Sequence, residues 1–371
     1  MNELNLSLNK YFKNKYLIQK NNHIDFLSYM KLEMDRCNLS HLSAPLLVGL
    51  KITNHCNFSC PHCFSSKTNK KHLLLEDVKI ILDKFGHKKP YSIYLTGGEP
   101  LLNPDFLKIV KYIKSKNIVL TIHTNGSLLN HSLIHELSKI LSHTDCIQIS
   151  LDGHTKELFE ETRNIDFFDQ IIASIQLLKT FNLKVKLNTV VTNKNVKNLI
   201  DIYKLAIYLN VDIISFSPLL ELSNSNDCYL PSDDEILTNF INVLDYYFKY
   251  PNNLYISQDP IAVPWGNTYL NKYLSNTKLI CPANRTSIEI DSFGNVFPCP
   301  FLHKSTFKIG NLINNTLSEI WNNENIIFRN LIWNNNSKCS KCSNQKNCTG
   351  GCFAAAYIKN TNYDPRCSKF K

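Results

Sequence analysis

A chain of 371 residues, 43% hydrophobic and 19% charged, holds enough apolar surface for a sizeable core and for two or three domains. No run of about 18 uncharged apolar residues occurs, which excludes a transmembrane helix. Residues 1–23 also lack the compact apolar stretch and cleavage site of a signal peptide, so a cytoplasmic protein is expected. The formal net charge is +10, yet the lysines are scattered; neither nucleic acid nor membrane is implied as a partner, and an acidic peptide is the class that such a surface suits.

From residue 45 a regular alternation begins. "PLLVGLKI" predicts a strand over 45–52, and "LEDVKIILDKFG" predicts a helix with Val78, Ile81, Leu82 and Phe85 on one face. Strands follow at Ser92–Leu95, Ile118–Thr124, Cys146–Leu151, Lys184–Val191 and Asp212–Ser217. Helices lie between them at Asn103–Lys116, Ser132–Leu141, Phe168–Phe181 and Val196–Leu209. Strands alternating with helices predict a parallel sheet with right-handed crossovers. Six strands are too few for a full eightfold barrel, so the expected fold is α/β, a partial (β/α)6 barrel. After that, Ser232 and Glu235 have capping-box spacing and open a helix that ends before Pro251. The expected organisation is an N-terminal extension (1–45), the barrel (46–225), a helical linker (226–275) and a loop-rich, cysteine-rich unit (276–371).

The chain has thirteen cysteines, and in a reducing compartment such spacings point to metal or redox chemistry rather than disulfides. Cys37, Cys146 and Cys228 stand alone and read as small buried hydrophobes. Cys56, Cys60 and Cys63 form C-x3-C-x2-C directly after the first strand. Three thiolates are one ligand short of a four-coordinate site. Spacing alone admits a zinc ion completed by His55 or His62, or an iron–sulfur cluster with one open iron. "LTGGEP" (Leu95–Pro100) follows the second strand, "TNG" the third and "SLDG" the fourth. All fall at the carboxyl ends of strands, where ligands bind in such folds. In the last unit Cys281 and Cys299 flank Gly294, Cys339, Cys342, Cys348 and Cys352 form C-x2-C-x5-C-x3-C, and Cys367 closes the set. Zinc and iron–sulfur clusters both take such spacings.

The cysteine loop after strand 1 and the GGEP after strand 2 resemble the radical S-adenosylmethionine superfamily, over roughly residues 46–220. By that resemblance Cys56, Cys60 and Cys63 bind a [4Fe-4S] cluster whose fourth iron chelates S-adenosylmethionine. His62 lies near adenine, Gly97, Gly98 and Glu99 belong to the segment that holds the methionine amino group, and Ser150 and Arg163 contact ribose or carboxylate. The implied reaction is reductive cleavage of the cofactor, with an electron from a low-potential donor of the flavodoxin or ferredoxin type, followed by hydrogen abstraction from the substrate. The C-terminal cysteines, with "IGNL", "EIW" and "FR" (Phe328–Arg329), resemble the SPASM auxiliary-cluster domain of peptide-modifying radical enzymes. That resemblance assigns Cys339, Cys342, Cys348 and Cys367 to one auxiliary iron–sulfur cluster and Cys281, Cys299 and Cys352 to another, whose fourth ligand and size stay open.

The resemblance implies a maturase for a ribosomally made peptide or a protein side chain. Sulfatase-maturing relatives usually carry an Asp after the cysteine corresponding to Cys299, where this chain has Pro300; a tetrapyrrole side-chain decarboxylase and a metal-binding protein without turnover are the remaining readings. About 45 residues precede strand 1, too few for a leader-binding winged helix, so recognition of a precursor falls to a separate leader-peptide-binding protein or to the two domains themselves.

Overall fold

The computed structural model describes residues 41–63, 70–220, 229–257, 281–322, 338–342 and 351–367. Cys37, Cys228, Cys348, Phe328–Arg329, most of the N-terminal extension and part of the linker lie outside the described residues. In chain order the elements are β1 (Leu47–Thr53), α1 (Leu75–Asp83), β2 (Ser92–Gly97), α2 (Phe106–Ser115), β3 (Val119–Thr124), α3 (His131–Ile140) and β4 (Cys146–Ser150). Then come α4 (Lys156–Arg163), α5 (Phe168–Thr180), β5 (Val185–Val191), α6 (Leu199–Tyr208), β6 (Ile213–Pro218), α7 (Asp233–Lys249) and β7 (Tyr255–Ile256). The C-terminal part adds β8 (Ser287–Ile290), β9 (Asn295–Phe297), β10 (Gly310–Asn311), α8 (Leu317–Trp321) and α9 (Phe353–Ile358).

The strands form one ten-stranded sheet in the order β10-β9-β8-β1-β2-β3-β4-β5-β6-β7. From β8 to β7 every pairing is parallel, while β9 and β10 turn back antiparallel. The order has two ends, so this is an open arc rather than a closed barrel. All six expected strands form within two residues of their expected bounds. Each alternates its faces as a strand must. Leu50, Ile93, Leu120, Ile147, Leu187 and Ile214 are fully buried on the helix side, at 0% exposure. Their neighbours Lys51, Tyr94, Thr121, His123 and Lys186 keep partial exposure on the other face. The helices match this pattern: α2 buries Phe106, Ile109, Val110 and Ile113, the i, i+3, i+4, i+7 stripe.

Strands β7, β8, β9 and β10 extend the sheet beyond the six expected strands, and three further elements differ from the sequence expectation. The helix expected from Asn103 starts at Phe106, because Pro100–Leu102 forms its own 3-10 turn and the Asn103 side chain binds Ile52 and Leu73 carbonyls. The helix expected from Val196 opens as a 3-10 turn and becomes α-helical at Leu199. Helix α4 was not expected: "KELFEETR" buries only Phe159, Thr162 and Arg163, too sparse an apolar stripe to read as a period. The capping box at Ser232 and Glu235 forms as expected.

Strand β8 lies parallel to β1, pairing Leu47 with Ser287 and Leu50 with Ile290. The cysteine-rich C-terminal part is therefore joined to the barrel by backbone hydrogen bonds rather than merely tethered. Trp321 of α8, 1% exposed, adds a second tie by donating its indole N–H to the Leu42 carbonyl at 2.6 Å.

Candidate functional site

The end of β2 and the chain leaving β1 are zipped together. Gly98 N donates to the Thr53 carbonyl at 2.9 Å, and Glu99 N to the His55 carbonyl at 2.7 Å. A Cβ on Gly97 would stand 2.2 Å from Thr53 O, and one on Gly98 2.2 Å from His55 O. The paired glycines are thus demanded by close backbone approach, the reading that a bare Gly-Gly leaves ambiguous.

Glu99 is wholly buried at the next position. Its carboxylate accepts from Leu101 N at 3.1 Å, Thr124 Oγ1 at 2.7 Å and Asn125 N at 2.7 Å. Burial pushes its pKa up to about 7 against the pull of those hydrogen bonds. Its oxygens brace the end of β2 against the end of β3. From there Asn125 donates to Asn57 Oδ1 at 2.9 Å, and Asn57 donates to Ser127 Oγ at 2.8 Å. Asn57 sits between Cys56 and Cys60, so the TNG turn fixes the cysteine loop from the side. Sequence reading noted "TNG" as a strand-end motif but gave Asn57, Thr124 and Asn125 no role. Their signal lies in side-chain partners 68 residues apart, which no local pattern carries.

The three loop cysteines are free thiols, with Cys56 and Cys63 exposed and Cys60 half-buried. Phe58, 6% exposed, anchors the loop in the core and packs on Phe167 with ring centroids 5.2 Å apart. Its N–H donates to Cys56 Sγ at 3.3 Å. Cys63 N closes a turn on the Cys60 carbonyl at 3.2 Å. Burial raises the pKa of Cys56 and Cys60, and the Arg163 charge opposes it in both. Among the described residues, no group of three or more His, Cys, Asp or Glu is arranged to hold a single metal ion. His62 turns Nε2 toward Asp152 Oδ2 at 3.2 Å, and His55 stacks on His72 at 4.2 Å. Three soft donors on one pinned loop suit an iron–sulfur cluster with one open iron.

Beside the loop lies a buried ion cluster. Asp152, at 0% exposure, takes Arg163 Nε on Oδ2 at 2.7 Å and Val190 N on Oδ1 at 2.8 Å. Burial alone would raise the pKa of Asp152, but the Arg163 charge and the His62 hydrogen bond hold it down at about 2. Arg163 Nη1 reaches toward Cys60 Sγ at 3.9 Å. The structure therefore brings His62 and Arg163 together through Asp152, a residue the sequence reading did not single out. Ser150 ends β4, half-buried and in register with Asn188 of β5.

On the polar face of the sheet a second group gathers from both parts of the chain around buried Glu289. Tyr94 of β2 donates its hydroxyl to Glu289 of β8 and stacks on His123 of β3 at 4.8 Å. Burial pushes Glu289 up to about 8, opposed by the Tyr94 hydrogen bond and Lys51. Burial pushes His123 down to about 3 and His303 to about 4, aided by Lys186 and Lys51 respectively. His303 packs on Phe297 at 4.5 Å.

In the C-terminal part Cys281, Cys299 and Cys352 share a small apolar cluster with Leu302, Phe307 and Ala355. Burial raises the Cys299 thiol well above its usual range, and the Cys281 and Cys352 sulfurs of the same cluster add to it. Cys339 and Cys342 share one turn, with Cys342 N on the Cys339 carbonyl at 3.0 Å. Cys367 N bonds the Asp364 carbonyl at 3.0 Å. Solitary Cys146 is buried, and its pKa is pushed up to about 12, as befits a small core hydrophobe.

An open parallel arc with a cysteine loop at its carboxyl edge, joined to a second cysteine-bearing unit, defines a class of cofactor-dependent enzyme. Residues 50–206 match the radical SAM superfamily, and residues 281–348 match the iron–sulfur cluster-binding domain SPASM. The chain is 27% identical over 328 residues to the mycofactocin maturase MftC of Mycobacterium tuberculosis, covering 85% of this chain and 80% of that protein. It is 28% identical over 361 residues to the cysteine-type anaerobic sulfatase-maturating enzyme of Clostridium novyi, covering 86% and 91%. The crystal structure of Streptococcus suis SuiB bound to precursor peptide SuiA superposes with a TM-score of 0.73 at 21% identity, covering 91% of this chain and 78% of that one. The chain is a radical S-adenosylmethionine enzyme with a C-terminal SPASM domain, and its cofactors are S-adenosylmethionine, a [4Fe-4S] cluster and auxiliary iron–sulfur clusters. Among the described residues, no helix is long and apolar enough to cross a membrane.

Proposed function

We propose that the chain is a maturase that modifies a side chain of a ribosomally made peptide or protein, by crosslinking or oxidation. One observation carries this reading: the polar face of the arc is completed by β8, so Tyr94 of the barrel and Glu289 of the C-terminal part meet there. A sheet face built by both parts suits a substrate that must reach the cofactor and the auxiliary site together. The similarity to a named peptide maturase supports the same class.

In this reading Cys56, Cys60 and Cys63 hold the [4Fe-4S] cluster. The backbone at Gly97, Gly98 and Glu99, with His62, Ser150 and Arg163, surrounds S-adenosylmethionine. The bound cluster and cofactor supply the hydrogen-abstracting chemistry. Cys339, Cys342, Cys348 and Cys367 hold one auxiliary cluster, and Cys281, Cys299 and Cys352 the other. Buried Glu99 keeps the cofactor loop closed on β3, while Glu289 and Tyr94 present a proton-exchanging pair to the substrate side. A low-potential flavodoxin- or ferredoxin-type protein delivers electrons in the cytoplasm, and a separate leader-binding protein presents the precursor. Sulfatase maturation is the second reading, favoured by the Clostridium relative. Pro300 after Cys299 offers no side-chain base at that position, which weighs against it.

The test is to reconstitute the protein anaerobically, reduce it with dithionite and supply S-adenosylmethionine with the small peptides encoded beside the gene. Formation of 5′-deoxyadenosine together with a mass change in one peptide supports the maturase. Nucleoside with a sulfatase peptide as the only modified substrate moves the assignment to sulfatase maturation. Zinc without nucleoside overturns the enzyme reading.

A further inference from the structure

The Asp and Gly of "SLDG", Asp152 and Gly153, have no role in the site as described so far. Asp152 is anchored at both its backbone and its side chain. Its carbonyl accepts the Asn195 side-chain amide at 2.9 Å, and its Oδ1 accepts Val190 N at 2.8 Å. The same amide nitrogen of Asn195 donates to the Val190 carbonyl at 2.9 Å, which ties the two anchors together at the end of β5. Gly153 then lets α4 dock on this turn: a Cβ there would lie 2.4 Å from Phe159 N of that helix. Arg163 is the last residue of α4, before Asn164 turns the chain away at φ +56°.

The anchored carboxylate meets two side chains that are each only 6% exposed. Its Oδ2 stands 2.7 Å from Arg163 Nε and 3.2 Å from His62 Nε2. Each partner thus has one nitrogen held and others left over. For the Nη groups of Arg163 the acceptor among the described residues is Cys60 Sγ, at 3.9 Å. That contact is too long and too soft to satisfy a guanidinium fork, whose matched partner is a carboxylate. His62 Nδ1 is buried and has no partner among the described residues. Unmet polar atoms in a protein interior are unfavourable and rare. Two sets of them, oriented by one carboxylate beside the cysteine loop, mark the edge of a ligand site.

We propose that Asp152 is a positioning residue of the cofactor site: it aims the Nη fork of Arg163 and the uncommitted nitrogen of His62 at S-adenosylmethionine. Asp152 itself is wholly buried, so it acts on the cofactor only through these two. The proposal rests on the reading of Arg163 and His62 as cofactor contacts.

The experiment measures S-adenosylmethionine affinity by equilibrium dialysis on the anaerobically reconstituted full chain. Iron content, thermal unfolding and the change that the cofactor makes in the electron paramagnetic resonance of the reduced cluster are read on the same samples. Asp152→Asn should weaken binding about tenfold or more, as loss of a group that orients a ligand residue does, and should shrink the spectral change at full iron content. In a chain already carrying Arg163→Leu and His62→Phe, Asp152→Asn should alter affinity by about twofold or less, because residues acting through one another do not add. Normal affinity in Asp152→Asn overturns the proposal and leaves Asp152 a brace between α4 and β5. The full loss persisting in the Arg163→Leu, His62→Phe background overturns it equally. Normal affinity in Arg163→Leu and in His62→Phe defeats instead the cofactor reading beneath it. Where the asparagine variant loses iron, Asp152→Glu, which keeps the charge but displaces the carboxylate, replaces it and is read by the same criteria.

Discussion

The two cysteine sites are built on opposite plans. The first places three cysteines within eight residues on one loop, and the regular sheet brings GGEP, TNG and SLDG up around it. The second draws Cys281, Cys299 and Cys352 from segments up to 71 residues apart and holds them with a small apolar cluster of Leu220, Ala283, Leu302, Phe307 and their neighbours. The first is therefore a local site stiffened by strand ends, and the second is a tertiary site that exists only while its segments are packed. The first also leaves Cys56 and Cys63 exposed, open to a cofactor from outside, whereas in the second Cys352 is buried and Cys281 and Cys299 are half-buried.

The comparison is broken most sharply by removing one thiol from each site. Cys56→Ala should abolish 5′-deoxyadenosine formation, measured by mass spectrometry, while auxiliary iron remains. Cys352→Ala, which takes a buried thiol from the second site, should lower iron per chain yet leave slow cofactor cleavage. Equal loss of nucleoside in both variants would mean that the sites are not separable.

Next in size is the glycine zipper of the first site. Gly98→Val places a side chain where Cβ already meets the His55 carbonyl at 2.2 Å. A loss of about 3 kcal/mol or more is expected from a forced backbone shift, read from urea unfolding. Asn125→Ala should cost about 1–3 kcal/mol, because the buried N–H and hydroxyl of Ser127 lose the Asn125 Oδ1 acceptor. Its particular signature is weaker iron retention at the first site, with the auxiliary clusters unaffected.

The smallest effect concerns the residue that joins the two regions. Glu289 has a pKa raised from 4.5 to about 8, so the native state holds a proton that the unfolded chain has lost between those values. Stability must then fall as pH rises from about 4.5 to about 8. Glu289→Gln, which resembles the protonated acid, should flatten that fall in thermal-unfolding scans. Asp152 runs the other way: lowered from 3.8 to about 2, it contributes stability above pH 4 that is lost as pH falls toward 2. An unchanged pH profile in Glu289→Gln would remove the carboxyl from the junction.

The sequence by itself determined the six parallel strands, because a period of two with buried Ile, Leu and Val survives any tertiary context. It also determined the cysteine loop and its GGEP neighbour, since those ligands lie within a few residues of each other and follow strands that were legible. The C-terminal cysteines were legible as a set, but β8 was not, being four residues long and paired with a strand 240 residues earlier. Only the tertiary structure decided that Glu99 faces three internal donors, that Asp152 gathers His62 and Arg163 at Cys60, and that Tyr94 meets Glu289. The reason is physical. Strand propensity and ligand spacing are properties of neighbouring residues. A buried carboxylate's partners instead depend on sheet order and register, which place side chains distant in sequence within hydrogen-bond reach.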